Sequence, residues 1–362
     1  MAISRRTLIK AGAGTALALA GGKLMAQAGK ERTLLILGGT GFIGPHVTEA
    51  ALARGWKVTH FNRGKREPDG VENVETLHGD RNGQLDSLKD RRWDAVIDNT
   101  GYVPKYCQMS ADLLAPNTDY CLYMSSISAY ASFEKPNDIG SATGVLENKD
   151  QEEITNETYG PMKALCEQYV RDAYGARCSI VRPGYIVGPL DPTDRFTYWP
   201  VRFGRGGEMA VPGTAADPIQ VVDVRDLATF MMGLVERRVA GDFNAVTPPG
   251  AITMGSLMET SRKLTGADTK LTWIDEAFIA EKAAEVNLAP WSAMHGPEAG
   301  GSLTGIQASV EQGLKARPLE ETVRDTLAWH ATRPEERRTT LRSGFSAQQE
   351  AAILADWHAR KA

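Results

Sequence analysis

Apolar positions fall in short blocks separated by helical stretches. Residues 33–37, with the unbroken apolar run from Leu34 to Leu37, read as a short strand of the kind that lies buried on both faces of a parallel sheet. Val47, Ala50, Ala51 and Leu52 then recur at helical spacing, and Gly55 follows as a helix stop. A second strand is predicted over 57–61, a third ending at Leu77-His78-Gly79-Asp80, a fourth over 95–98 and a fifth over 120–126. A helical run covers 164–169, and a sixth strand ends near Pro183. Residues 219–223 read as a further strand followed by a helix, and 346–362 as a terminal amphipathic helix carrying Ile353, Leu354 and Trp357. Strands alternating with helices predict an α/β fold with a doubly wound parallel sheet, followed by a smaller, mostly helical region.

Four glycines in seven residues follow the first strand: Gly38, Gly39, Gly41 and Gly44, interleaved with Thr40, Phe42 and Ile43. Between a strand and an amphipathic helix, this spacing reads as a Rossmann dinucleotide-binding turn. Glycine there permits the tight turn and lets the backbone approach a pyrophosphate, whose charge meets the helix amides. NAD-binding versions place an acid at the end of the second strand to hold the ribose hydroxyls. This chain has Asn62 and Arg63. A guanidinium pairs with a 2′-phosphate that a carboxylate would repel, so NADP is expected, with NAD less favoured. Asp80, after the third strand, is placed to hydrogen-bond adenine.

The first 28 residues differ from the rest. Arg5 and Arg6 precede a weakly apolar stretch that ends in Ala26-Gln27-Ala28, a small-residue cleavage pattern. The run from Ser4 to Lys10 resembles a twin-arginine export motif, which predicts recognition by the twin-arginine machinery and a periplasmic or extracytoplasmic location. The segment holds four bases and no acid, so its removal leaves 37 bases against 45 acids and a formal charge of −8. Such acidity argues against a nucleic-acid surface. No apolar run reaches the ~18 residues of a membrane span. Cys107, Cys121, Cys166 and Cys178 lie in apolar runs and read as buried free thiols, without metal-ligand spacing; no metal is expected.

Tyr159 and Lys163 stand at i and i+4, on one helix face. An ammonium beside a phenol stabilises phenolate, and such a phenol can move a proton at a carbinol or carbonyl oxygen. A serine hydroxyl at the end of the fifth strand would polarise the same oxygen. With the glycine loop, these pieces (GGTGFIG, SSISAY, YGPMK, RPGYIVGP, DPIQVVDVRDLA) resemble the short-chain dehydrogenase/reductase superfamily, in its extended branch, the NAD-dependent epimerase/dehydratase family. The likeness spans nearly all of residues 33–330. It implies Ser126, four residues before Tyr130, as the catalytic serine, Tyr159 as acid/base, and Lys163 as its assistant and a ligand of the nicotinamide ribose. It implies further that Pro183 and Gly184 flank the nicotinamide, that Asn62, Arg63 and Asp80 meet the adenosine end, and that Asn99 and its neighbours close over the cofactor. Relatives acting on nucleotide sugars often carry R-x-F-N after the Tyr/Lys helix. Here Arg182-Pro183-Gly184-Tyr185 stands instead, which weakens a UDP-sugar assignment.

The expected organisation is a signal over 1–28, a nucleotide domain over 29–184 and a substrate domain over 185–330, with 218–247 returning to the nucleotide domain and a helical tail over 331–362. Tyr102, Arg195, Phe196 and Trp199 are candidates for contact with a small-molecule substrate. A homodimer through the helices around Tyr159 and Lys163 is what the resemblance implies. Export favours a redox-neutral cycle on a carbohydrate-like alcohol or ketone with tightly held cofactor. The alternatives are an NADPH-dependent reductase with exchangeable cofactor and a non-catalytic NADP(H) sensor or scaffold.

Overall fold

The structure is a computed structural model that describes residues 31–65 and 74–361. The expected twin-arginine signal and its cleavage site lie outside the described residues. Arg32–Ala362 packs as one compact unit.

Its strands are β1 (Arg32–Leu37), β2 (Trp56–Asn62), β3 (Glu75–His78), β4 (Ala95–Asp98), β5 (Cys121–Met124), β6 (Cys178–Pro183), β7 (Tyr185–Val187), β8 (Gly207–Pro212), β9 (Val221–Asp223), β10 (Gly241–Ala245) and β11 (Thr269–Ile274). Seven of them build one sheet in the order β10-β6-β5-β4-β1-β2-β3, every pair parallel. Strand order reverses between β1 and β4, and in such a sheet a ligand lies in the crevice beyond the carboxyl ends at that point.

The helices against this sheet are α1 (Ile43–Leu52), α2 (Pro104–Leu114), α3 (Asn156–Tyr174) and, after α4 (Tyr198–Gly204) of the smaller region, α5 (Val224–Arg237). The continuous apolar strand sequences are explained by burial on both sides. Leu34 and Ile36 pack with Val47 and Ala51 of α1 and Leu227 of α5, whereas Leu35 and Leu37 face Ala111 of α2 and Val170 of α3. The fold is therefore a three-layer α/β sandwich with a doubly wound parallel sheet, joined to a smaller, mostly helical region. That region has its own core, in which Phe203, Met209 and Val211 meet Leu257 and Phe278. The terminal helix Ala347–Lys361 docks on this core through Ile353 and Trp357. The buried Glu350 of that helix takes Arg202 Nε at 2.6 Å.

The helix carrying Tyr159 starts eight residues before the predicted run. Thr155 caps it reciprocally with Thr158, and Pro161 falls in its second turn. A proline so near the start forfeits little of the helical ladder, so Pro161 is accommodated.

Candidate active site

A cavity of about 990 Å3 opens beyond the carboxyl ends of β1, β4 and β5. The glycine loop forms one wall. Gly38 has φ +85°, and a Cβ there would sit 2.1 Å from the Thr100 methyl, so the turn from β1 requires glycine on both counts. Gly41 lines the cavity and a Cβ there would meet nothing within 4 Å, which leaves open space over the backbone. The first turn of α1 carries no acid to oppose an anion. Behind the loop, Asp98 accepts from both terminal nitrogens of the half-buried Arg81 at 2.6 and 2.7 Å and takes Thr100 N at 3.0 Å, fixing the stretch that follows β4. The sequence reading missed Arg81, since a single base after Asp80 carries no signal of burial.

Several polar atoms on this wall are buried without a partner. Asn99 leaves both Oδ1 and Nδ2 unpaired, Ser125 leaves Oγ, and both residues line the cavity. Buried polar groups are nearly always hydrogen-bonded, so this set fits a polar ligand laid across the strand ends. Phe42, Ile43, Pro183 and Gly184 line the same cavity. Gly39 and Thr40 belong to the turn but not to the lining. The residues present therefore fit an extended dinucleotide. Asn62, at the end of β2, accepts Gly64 N at 2.8 Å and leaves a buried Nδ2 unpaired, while Arg63 beside it is exposed. Asp80 accepts Asn82 N at 3.2 Å within its own turn. These three lie beyond the cavity lining, toward the β2–β3 edge.

Ser126 precedes the short turn Ile127–Ala129 and accepts Ser128 N at 3.1 Å. Helix α3 lies directly against this turn because Gly160 has no side chain: a Cβ there would stand 2.1 Å from Ser128 O. The close approach brings Tyr159 and Ser126 to one wall of the cavity. Burial raises the Tyr159 phenol above its usual value, while the Ser126 hydroxyl and the Arg195 guanidinium pull it down.

Lys163, one turn on, is 2% exposed. Its ammonium donates to Gly101 O at 2.8 Å and Met124 O at 2.6 Å and lies 4.3 Å from the centre of the Tyr123 ring. Its pKa is lowered, chiefly by burial. A buried ammonium must satisfy its donors, and the nearest acceptors are carbonyls at the ends of β4 and β5. Arg195, which also lines the cavity, is a cation whose charge works against the rise at Tyr159.

The remaining candidates divide. Tyr102 and Arg195 line the cavity, joined by Tyr185, Asp191, Thr193 and Ser292. Phe196 and Trp199 do not. Both are fully buried in the second core, and Trp199 Nε1 donates to Ala289 O at 3.0 Å. An aromatic side chain near a polar loop in sequence carries no mark of whether it faces ligand or core, and here the core wins. Arg182, whose surroundings departed from the family pattern, is a structural residue. It is 3% exposed and pairs with Glu167 of α3 at 2.5 and 2.8 Å. Among the described residues the four cysteines are free and buried, no group of His, Cys, Asp and Glu could hold a metal, and no helix is long and apolar enough to cross a membrane.

In overall fold the chain is similar to a UDP-glucose 4-epimerase, with a TM-score of 0.63 at 13% identity over 84% of this chain and 99% of that one. It is similar also to a UDP-glucuronic acid 4-epimerase from Bacillus cereus in complex with NAD (TM-score 0.59, 12% identity, 82% and 98% covered). A third is the UDP-N-acetylglucosamine 4-epimerase of Methanobrevibacter ruminantium M1 (TM-score 0.59, 21% identity, 84% and 99% covered). Among curated proteins it is 24% identical over 264 residues to chloroplast stem-loop binding protein of 41 kDa b from Arabidopsis thaliana, covering 68% of this chain and 66%, just under two thirds, of that protein. The model of the NAD dependent epimerase/dehydratase family matches residues 34–245, from the first strand through the last strand of the sheet, and the chain belongs to that family of enzymes.

Proposed function

We propose that the cavity holds a nicotinamide dinucleotide along the glycine loop and that Tyr159 moves a proton at the oxygen of a small, carbohydrate-like alcohol or ketone bound beyond it. The observation that carries this reading is the convergence of Tyr159, Ser126 and Lys163 on one cavity whose opposite wall is the glycine loop. The nicotinamide, when bound, supplies or takes up the hydride. Tyr159 accepts the alcohol proton or returns it, and Ser126 donates to the same oxygen. Two donors of Lys163 are held by backbone carbonyls, and the third is free to orient the cofactor's ribose.

Arg63, exposed at the end of β2, supports NADP over NAD. A tightly held cofactor that is oxidised and re-reduced within one cycle suits an exported protein, which the twin-arginine motif supports. A reductase with exchangeable cofactor differs in releasing its nucleotide freely. The name of the chloroplast relative raises a nucleic-acid-binding reading; the excess of 45 acids over 41 bases in this chain weighs against it.

The test is Tyr159→Phe. Turnover of a responsive alcohol or ketone should fall by roughly 10²–10⁴-fold, the usual contribution of a placed acid/base. Nucleotide affinity should stay within a few-fold of the parent. Unchanged turnover would remove Tyr159 from the chemistry.

A further inference from the structure

Beside Ser126, Tyr159 and Lys163 the cavity has a second polar wall, whose hydrogen-bonding capacity the proton transfer leaves open. It is the turn at 188–195, between β7 and α4. Leu190 and Asp194 both adopt positive φ, +72° and +62°. Non-glycine residues hold that conformation only where their surroundings over-determine it. Here the C-terminal region does so. The fully buried Asp194 pairs with Arg333 at 2.7 Å and Arg337 at 2.8 Å and accepts Arg342 N at 3.0 Å. Arg342 Nη1 reaches Pro192 O at 3.2 Å, and Ser343 Oγ reaches Thr193 O at 2.9 Å.

What this clamp presents to the cavity is one unused acceptor and one unused fork of donors. Asp191 is 1% exposed. Its Oδ1 takes Thr193 N at 2.9 Å and Thr193 Oγ1 at 2.7 Å, while Oδ2 is buried without a partner. Arg195 donates Nε to Thr193 Oγ1 at 3.1 Å and lies 5.0 Å from the centre of the Tyr185 ring. Its terminal nitrogens make no hydrogen bond or ion pair among the described residues, and none joins them to Asp191. A guanidinium held at one edge and braced on an aromatic face is set for a planar, two-oxygen anion. A buried carboxylate oxygen beside it calls for a hydroxyl donor. Glu298 also lines the cavity, but it is exposed, where solvent screens its charge.

We propose that this turn selects a small polyhydroxylated carboxylic acid, with the carboxylate on Arg195, a hydroxyl donating to Asp191 Oδ2, and a carbinol carbon left at Tyr159. The inference rests on the cavity being the substrate site of the proposed reaction and narrows its substrate class.

The test is calorimetric titration of D-glucuronate and D-glucose into the full-length protein saturated with NADP⁺. Glucuronate should bind at least ~10-fold tighter, as expected for a charge-assisted pair lost with the carboxylate. Arg195→Gln should erase that preference, Arg195→Lys should keep part of it, and Asp191→Asn should weaken both sugars. Equal affinities, no binding of either sugar, a preference that survives Arg195→Gln, or full affinity in Asp191→Asn each overturns the proposal. Nucleotide binding, measured on the same samples, separates the two readings. If NADP⁺ or NAD⁺ binds while the sugars fail, the substrate class falls and the proposed reaction stands. If neither nucleotide binds, the reaction itself falls.

Discussion

At the scale of single residues, the site works through the balance of charge around one phenol. Burial opposes the Tyr159 phenolate and raises the group above its ordinary value of 10, and Ser126 and Arg195 act against that rise. In the direction that oxidises an alcohol, Tyr159 must accept a proton, so kcat/KM should climb with pH as the phenol ionises. Removing the cation in Arg195→Gln should move that limb to higher pH, and a pH–rate profile that stays in place would contradict the assignment. At the other end of the cofactor, Arg63→Ala should narrow the preference for NADP over NAD by roughly tenfold, the loss of one charge-assisted contact. An unchanged ratio of the two dissociation constants would end the idea of phosphate pairing. The placing of Tyr159, Lys163 and the glycines on the crevice was legible from their spacing, and that of Ser126 from the family resemblance through Tyr130. The burial of Asp191 with one oxygen unpaired was not, since nothing in a short acidic, Pro-containing turn marks it. Gly160 and Gly101 were not either: the first matters for a contact with Ser128 and the second for the carbonyl it offers Lys163, both distant in sequence.

At the scale of elements, position depends on how α3 is fastened. Its amino-terminal end rests on the Ser126–Ser128 turn, and its middle is tied to β6 by the buried pair of Glu167 and Arg182, 2% and 3% exposed. Asp242 on β10 extends this tie, taking Arg171 at 2.6 Å. Removing one partner of a buried pair leaves an uncompensated charge. Glu167→Ala should therefore destabilise the fold by about 3–5 kcal/mol, read as a lower denaturation midpoint. A loss below about 1 kcal/mol would show that water or Asp242 replaces the partner. The inner strands β1, β4 and β5 could be read from sequence because burial on both faces leaves an apolar run, whereas β10, Gly-Asp-Phe-Asn-Ala at the edge of the sheet, was not read. The start of α3 could not be read, because its cap, Thr155, lies in a polar loop upstream of Tyr159. The clamp of Arg333, Arg337 and Arg342 on Asp194 joins residues some 140 apart, and no local pattern announces it.

At the scale of the whole molecule, two cores enclose one crevice. The parallel sheet supplies the glycine loop, Ser126 and Tyr159. The smaller region supplies the 188–195 turn, and the tail holds that turn from behind. The fold class followed from the alternation of strands and helices, whereas the shape of the substrate wall depends on contacts between distant segments. The account's central claim is that this crevice holds a nicotinamide dinucleotide with Tyr159 beside it. The most direct measurement is the nucleotide released when the purified protein is denatured, identified by mass spectrometry and quantified against protein. The account predicts close to one nicotinamide dinucleotide per chain, NADP more than NAD. Protein that releases none, and that fails to bind either dinucleotide when it is supplied, would contradict it.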